Sequence, residues 1–269
     1  MRIKSENDFL PQFLALLVAA MVIHTIFTLW IRPQAEAELA YAVEENVPAP
    51  RSVAIVLKDY EQEACLILLC WAIGIIGIKA RQVSQQNRML EHDYFNLESG
   101  VSILAADTKE YARALQTLPD DERHSLLPKM MLASLHRFGS TGDIRSASDA
   151  ARAVSEAEAD RLESELSMVR YIAWAIPSIG FIGTVRGIGE ALAKAEDAVK
   201  GNIAGVTESL GVAFNSTLIA LLLSILLMFL LHQLQLRQDR LVLDSEEFCD
   251  NNLLSRFRSY DLQNAQAQS

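Results

Sequence analysis

Four apolar runs, separated by long polar stretches, organise this chain of 269 residues. Each run approaches the ~20 apolar residues that cross a lipid bilayer as a helix. The spans are predicted at 10–31, 64–80, 171–189 and 206–232. The pattern therefore predicts an all-α membrane protein with four transmembrane helices, some of which extend into a helical region outside the membrane.

The polar stretches complete the predicted topology. Residues 1–9 form an N-terminal segment, 32–63 an external loop with three prolines, 81–170 a cytoplasmic helical region, 190–205 a short external connection, and 233–269 an amphipathic helix with a disordered tail. Basic residues precede the first run and follow the second, so the positive-inside rule predicts that both termini are cytoplasmic.

Helix-breaking residues (breakers) divide the predicted cytoplasmic region into about three helices. Pro119-Asp120 is expected to open one helix, and the segment from Gly139 to Gly142 to close it. No breaker then occurs until Pro177, which predicts a long helix that continues into the third span. At the other end of that span, Lys200-Gly201-Asn202 is the expected turn between antiparallel third and fourth spans.

Small and hydroxyl residues distinguish the third and fourth runs from plain membrane anchors. In the third, Gly180, Gly183 and Gly187 share one helical face, with Thr184 beside it and Pro177 one turn earlier. In the fourth, small and polar residues recur at helical spacing: Ser209, Ala213, Asn215, Ser216, Thr217, Ala220 and Ser224. Such faces indicate either close helix packing or a polar pathway between helices. A threonine at mid-depth on both helices favours the pathway.

At these residues the chain resembles the MotA/TolQ/ExbB family of ion-driven motor subunits. The resemblance covers about 162–224, and its most specific parts are GFIGTVRGI and the pattern that ends at Asn215-Ser216-Thr217. It implies that Thr184, Asn215, Ser216 and Thr217 line an ion path. Pro177 matches the family's proline, whereas Val212 stands where the ExbB/TolQ branch typically has an acidic residue.

The resemblance also implies an assembly. We expect a homopentamer in a bacterial inner membrane, around two copies of a single-span partner that resembles MotB, TolR or ExbD and brings a membrane aspartate. The transported ion is expected to be H⁺, with Na⁺ as the alternative, and no cofactor is expected. A non-conducting scaffold that recruits a cytoplasmic partner is the competing hypothesis. Flagellar rotation, outer-membrane energisation, gliding and phage defence all remain open as the process served.

Charge and motifs exclude other classes. The formal net charge of −10 argues against nucleic-acid binding, which needs clustered Lys and Arg. A phosphate-binding GxxxxGK[ST] loop, HExxH, CxxC and GxSxG are all missing from the sequence, so we expect no enzyme activity.

His24 is the only ionisable residue of the first run, and we interpret it as a packed or interfacial residue. Arg186 is interpreted as a snorkelling residue near the membrane surface.

Overall fold

A computed structural model describes residues 9–45, 52–90, 102–201 and 203–258. The described chain is helical almost throughout and forms two compact units. Unit 1 comprises the described residues of 1–77 and 167–232, and unit 2 those of 78–166 and 233–269. The predicted tail QNAQAQS, 263–269, lies outside the described residues.

Eleven α-helices occur in the described part of the chain. They are α1 (Phe9–Ile26), α2 (Arg32–Glu44), α3 (Val53–Leu57), α4 (Tyr60–Met89), α5 (Thr108–Gln116), α6 (Asp120–Arg123), α7 (Leu126–Thr141), α8 (Ile144–Glu165), α9 (Ser167–Ala193), α10 (Ala195–Val199) and α11 (Ala204–Asn252). A π-helix, Phe27–Ile31, joins α1 to α2, and a short 3₁₀-helix, Leu254–Arg256, follows α11.

Four helical segments are long and apolar enough to cross a membrane, as the sequence predicts. They are Phe13–Ala42, Tyr60–Met89, Ile144–Ala193 and Ala204–Arg256. Large apolar side chains remain exposed along them, for example Trp174 at 78% and Phe229 at 59%. Lipid is the environment that covers such surfaces, because water would leave this much apolar area unfavourably exposed. The chain is therefore a multi-pass membrane protein.

The segment after the first span differs from the open loop that the prolines suggest. Pro33 lies inside a continuous helical run, two residues after the π-helix Phe27–Ile31, where the regular hydrogen-bond pattern already changes register. Helical structure accordingly continues from the first span to Glu44. The last residues of the predicted loop, from Tyr60 onward, already belong to α4.

The long helix predicted from Asp143 through the third span has one interruption. Asp143 caps α8 by accepting hydrogen bonds from the backbone N–H groups of Arg145 and Ser146, at 3.2 and 3.0 Å. These bonds and one from the Ser146 hydroxyl lower the pKa of Asp143. The helix is then interrupted at one residue, Leu166, before α9 begins at Ser167.

Unit 2 is built around its own apolar core. Phe138 of α7 stacks on Phe257, with ring centroids 4.2 Å apart. Ile103 joins the same core and exchanges backbone hydrogen bonds with Arg256 and Arg258. Gly142, at φ +68°, ends α7 as the sequence predicts, since this left-handed conformation favours glycine. The core shows that the polar 81–170 stretch and the end of α11 fold together.

Cysteine labelling tests the predicted orientation. A cysteine introduced at Glu45, which is exposed, should react with a membrane-impermeant reagent from outside the cell. Position 130, in the middle of the predicted cytoplasmic region, is unsuitable because Met130 is only 1% exposed. Glu156, whose side chain is 65% exposed, should react only after permeabilisation. The parent chain measures background labelling, and reaction of position 156 in intact cells would contradict the topology.

Candidate functional site

The two small-residue faces predicted from the sequence pack against each other within one chain. We call this contact the seam: Gly180, Gly183 and Gly187 of α9 against Ser209, Ala213, Ser216 and Ala220 of α11, all of them buried. A β-carbon added at Gly183 would lie 2.5 Å from Ser216 Cβ, and one at Gly187 would lie 2.7 Å from the Ser209 carbonyl oxygen. The helices therefore approach so closely that no methyl group fits between them.

A pair of threonine hydroxyls bridges the edge of the seam. Thr184 Oγ1 and Thr217 Oγ1 are hydrogen-bonded to each other, and either can be the donor. Each also lies within hydrogen-bond distance of a carbonyl on the opposite helix: Thr184 of Ala213 O at 3.1 Å, and Thr217 of Gly180 O at 3.2 Å. Both side chains are half-buried, so part of each faces away from the chain.

The other two predicted lining residues differ in their exposure. Ser216 is 1% exposed, faces Gly183 across the seam, and donates a hydrogen bond to the Val212 carbonyl at 2.8 Å. Asn215 is half-buried. The structure thus brings Thr184 and Thr217 together and places Ser216 inside the packing contact.

Pro177 has a partner that the sequence pattern contains but does not identify. A proline in a helix removes the hydrogen bond to the carbonyl four residues earlier, which here is that of Ala173. The Ser224 hydroxyl of α11 donates to this Ala173 oxygen at 3.1 Å. The fourth helix therefore satisfies the carbonyl that the proline of the third leaves free, as bundles in lipid require.

Ionisable residues gather at one end of unit 1 and form pairs that the sequence reasoning missed. Arg186 forms a two-pronged ion pair with Glu61, at 2.8 and 2.9 Å, and therefore does more than snorkel to the surface. Glu63 is buried to 6% exposure and contacts both His24, at 2.6 Å, and Arg32. His24 is thus paired with a carboxylate and is not a lone residue.

The π-helix explains how His24 of α1 and Arg32 of α2 both reach Glu63. Residues eight apart on an α-helix, such as His24 and Arg32, point about 80° away from each other. The wider turn at Phe27–Ile31 accommodates one extra residue, so the two positions come to within about 20° of the same face. In the sequence, the only sign of this charged cluster is the presence of three carboxylates in the segment 59–63. The residues that pair with Glu61 and Glu63 lie far away along the chain.

Fold and seam together define a multi-pass helical membrane protein with a closely packed polar helix pair. Residues 122–247 match the model of the MotA/TolQ/ExbB proton channel family. This match confirms the resemblance seen in the sequence, and it extends beyond it to include α7 and α8 of unit 2. No curated protein and no solved structure matches the chain.

The close contact at Gly180 yields a prediction about stability. Gly180→Ala should lower the free energy of unfolding by about 1–3 kcal/mol, because the added methyl group would collide with the Ala220 side chain and lie 3.0 Å from the Ser216 carbonyl oxygen. Gly189→Ala is the matched control, since nothing lies within 4 Å of a β-carbon there. Reversible unfolding in detergent measures both variants. Adding Ala220→Gly should restore part of the loss, and equal stability of the two alanine variants would contradict the seam.

The close packing of the seam also changes the expected effect of Gly183→Leu. The sequence alone predicts that this variant inserts normally but does not assemble with a partner. Because Gly183 faces Ser216 of the same chain, we now expect the hairpin of α9 and α11 to be disrupted first.

A double-mutant cycle tests the proline–serine pair. Ser224→Ala should cost about 0.6 kcal/mol, the mean value for interhelical hydrogen bonds in a membrane protein. In a Pro177→Ala background the helix satisfies the Ala173 carbonyl itself, so the same substitution should cost almost nothing. Unfolding free energies of the four proteins give the coupling, and identical costs in both backgrounds would show that the two residues act independently.

Proposed function

We propose that this chain is the ion-conducting stator subunit of a membrane motor, which couples proton flow to mechanical work together with a single-span MotB/TolR/ExbD-like partner. The observation that carries the proposal is the half-buried Thr184–Thr217 pair, which lies inside the segment that matches the proton channel family. Hydroxyl groups that faced only lipid tails would lose part of their hydrogen bonding. A polar partner helix or water is the surface that suits them.

The closeness of the seam supports a pathway between chains. Water cannot pass between α9 and α11, because even a methyl group does not fit at Gly180, Gly183 or Gly187. An ion that moves along these helices must therefore pass on their outer side, against another polypeptide. This reasoning favours a ring of subunits whose third and fourth helices surround the partner.

We propose a homopentamer around two partner helices, each with a membrane aspartate, in the bacterial inner membrane with both termini in the cytoplasm. An ion that neutralises the aspartate would weaken its attraction to the threonine hydroxyls and let the subunits move past each other. A membrane potential of about 100 mV supplies about 2.3 kcal/mol per charge, so several ions can drive one step.

The position of Ser216 supports protons over sodium. A dehydrated sodium ion needs several oxygen ligands. The Ser216 hydroxyl, the extra oxygen that a sodium path would use, is buried in the seam and donates to Val212 O. The threonine pair alone offers few ligands per subunit, whereas the partner's carboxylate can carry a proton by itself.

Proton flux in vesicles tests the proposal. With the partner co-reconstituted, Thr217→Ala should abolish flux and mechanical work while the complex still assembles, because it removes the hydroxyl on the outer side of the seam. Thr217→Ser, which keeps the hydroxyl, should retain most of the flux, and Ser216→Ala should have a mild effect. A pH-sensitive dye inside the vesicles measures the flux, and co-purification measures assembly.

Two outcomes would contradict this proposal in different ways. Mechanical work that survives collapse of the proton gradient but stops when sodium is replaced by potassium would make sodium the ion. A normally assembled complex that conducts neither ion would support the non-conducting scaffold, whose glycine faces only pack helices.

A further inference from the structure

The start of α4 carries three carboxylates within five positions, and they are not equivalent. Glu61 is paired with Arg186, and Glu63 with Arg32 and His24. Asp59 differs, because its Oδ2 atom is buried and has no hydrogen-bond partner among the described residues.

Gln62 supplies a second observation at the same place. Its side chain is 1% exposed, lies close enough to the Asp59 carboxyl to influence it, and donates from Nε2 to the Val56 carbonyl at 3.1 Å. Its Oε1 atom is buried and, within the described chain, has no partner. Two acceptor oxygens three residues apart therefore have no donor among the residues that the structure describes. A buried acceptor that stays without a donor destabilises the folded state.

The charged groups around Asp59 do not supply that donor. Lys58, Arg186 and Glu61 act on its carboxyl electrostatically. Arg186 donates to Glu61 and Glu190, and Lys58 Nζ lies 3.6 Å from Glu208. Burial is the strongest influence and raises the pKa of Asp59 above its ordinary value, and Glu61 adds to this rise, whereas Lys58, Arg186 and Gln62 act in the opposite direction.

We propose that Asp59 and Gln62 form a proton-binding site, in which Asp59 is protonated near neutral pH and its O–H supplies the donor that Gln62 Oε1 lacks. One proton then satisfies both oxygens and removes a buried charge. The site itself does not depend on conduction. Its role rests on the proposed function: in a proton-driven stator, it would take up protons at the end of unit 1 where the helix connections lie.

Infrared spectroscopy of the full-length protein in lipid nanodiscs tests the site. With ¹³C-labelled aspartate, the wild type should show the carbonyl band of a protonated carboxylic acid at pH 7, and this band should disappear in Asp59→Asn. Asp197→Asn is the matched control, because Asp197 is exposed in the same unit, and its spectrum should keep the band. Raising the pH should remove the band from the wild type, which tests the site even if Asp59→Asn fails to fold.

Stability provides the second arm of the experiment. The asparagine side chain retains a donor, so Asp59→Asn should melt within a few degrees of the wild type, whereas Asp59→Leu should melt clearly lower. Absence of the band at pH 7 would overturn the proposal. A wild-type melting temperature that rises with sodium but not with potassium, and no longer does so in Asp59→Asn, would overturn it in favour of a sodium site.

These results are separable from those of the flux assay. Proton flux without the carboxylic-acid band would reject this site and leave the stator function standing. The band in a complex that does not conduct would keep the site and reject the function.

Discussion

The contact between α9 and α11 is the constraint on which unit 1 depends. Glycine on one helix and small residues on the other allow the two backbones to approach, and lipid provides no hydrophobic force that would replace this packing. The same closeness lets side chains of one helix satisfy backbone carbonyls of the other, as at Ser224 and Ala173. Packing and polar pairing are thus two consequences of one distance between helices.

The faces that form this contact can be recognised in the sequence because their signals are local. Glycines three and four residues apart define a face, and the short connection between the third and fourth spans makes α9 and α11 antiparallel neighbours. What the pattern could not decide is whether each face meets its own chain or another one. Gly183 illustrates this, since a pattern read along one helix contains nothing about the identity of the residue opposite, which is Ser216.

The charged end of unit 1 was unpredictable for a physical reason. Its polar pairs join residues 39 and 125 positions apart, His24 with Glu63 and Arg186 with Glu61, and such pairing depends on where helices start and how they face each other. The π-helix adds a change of register that apolar composition does not reveal. Prolines at 33, 48 and 50 also indicated a loop, although the first of them lies in the helix that continues past the π-helix.

The threonine pair has a property that its geometry alone dictates. The pair has two hydroxyl protons to donate. Four oxygens can accept them: the two threonine oxygens and the carbonyls of Gly180 and Ala213. If Thr217 donates to Thr184, then Thr184 donates to Ala213 and the Thr217 oxygen accepts nothing. If Thr184 donates instead, Thr217 donates to Gly180 and the vacant acceptor moves to the Thr184 oxygen. When both hydroxyls rotate, the oxygen that accepts no hydrogen bond is therefore on the third helix instead of the fourth, and neither backbone moves.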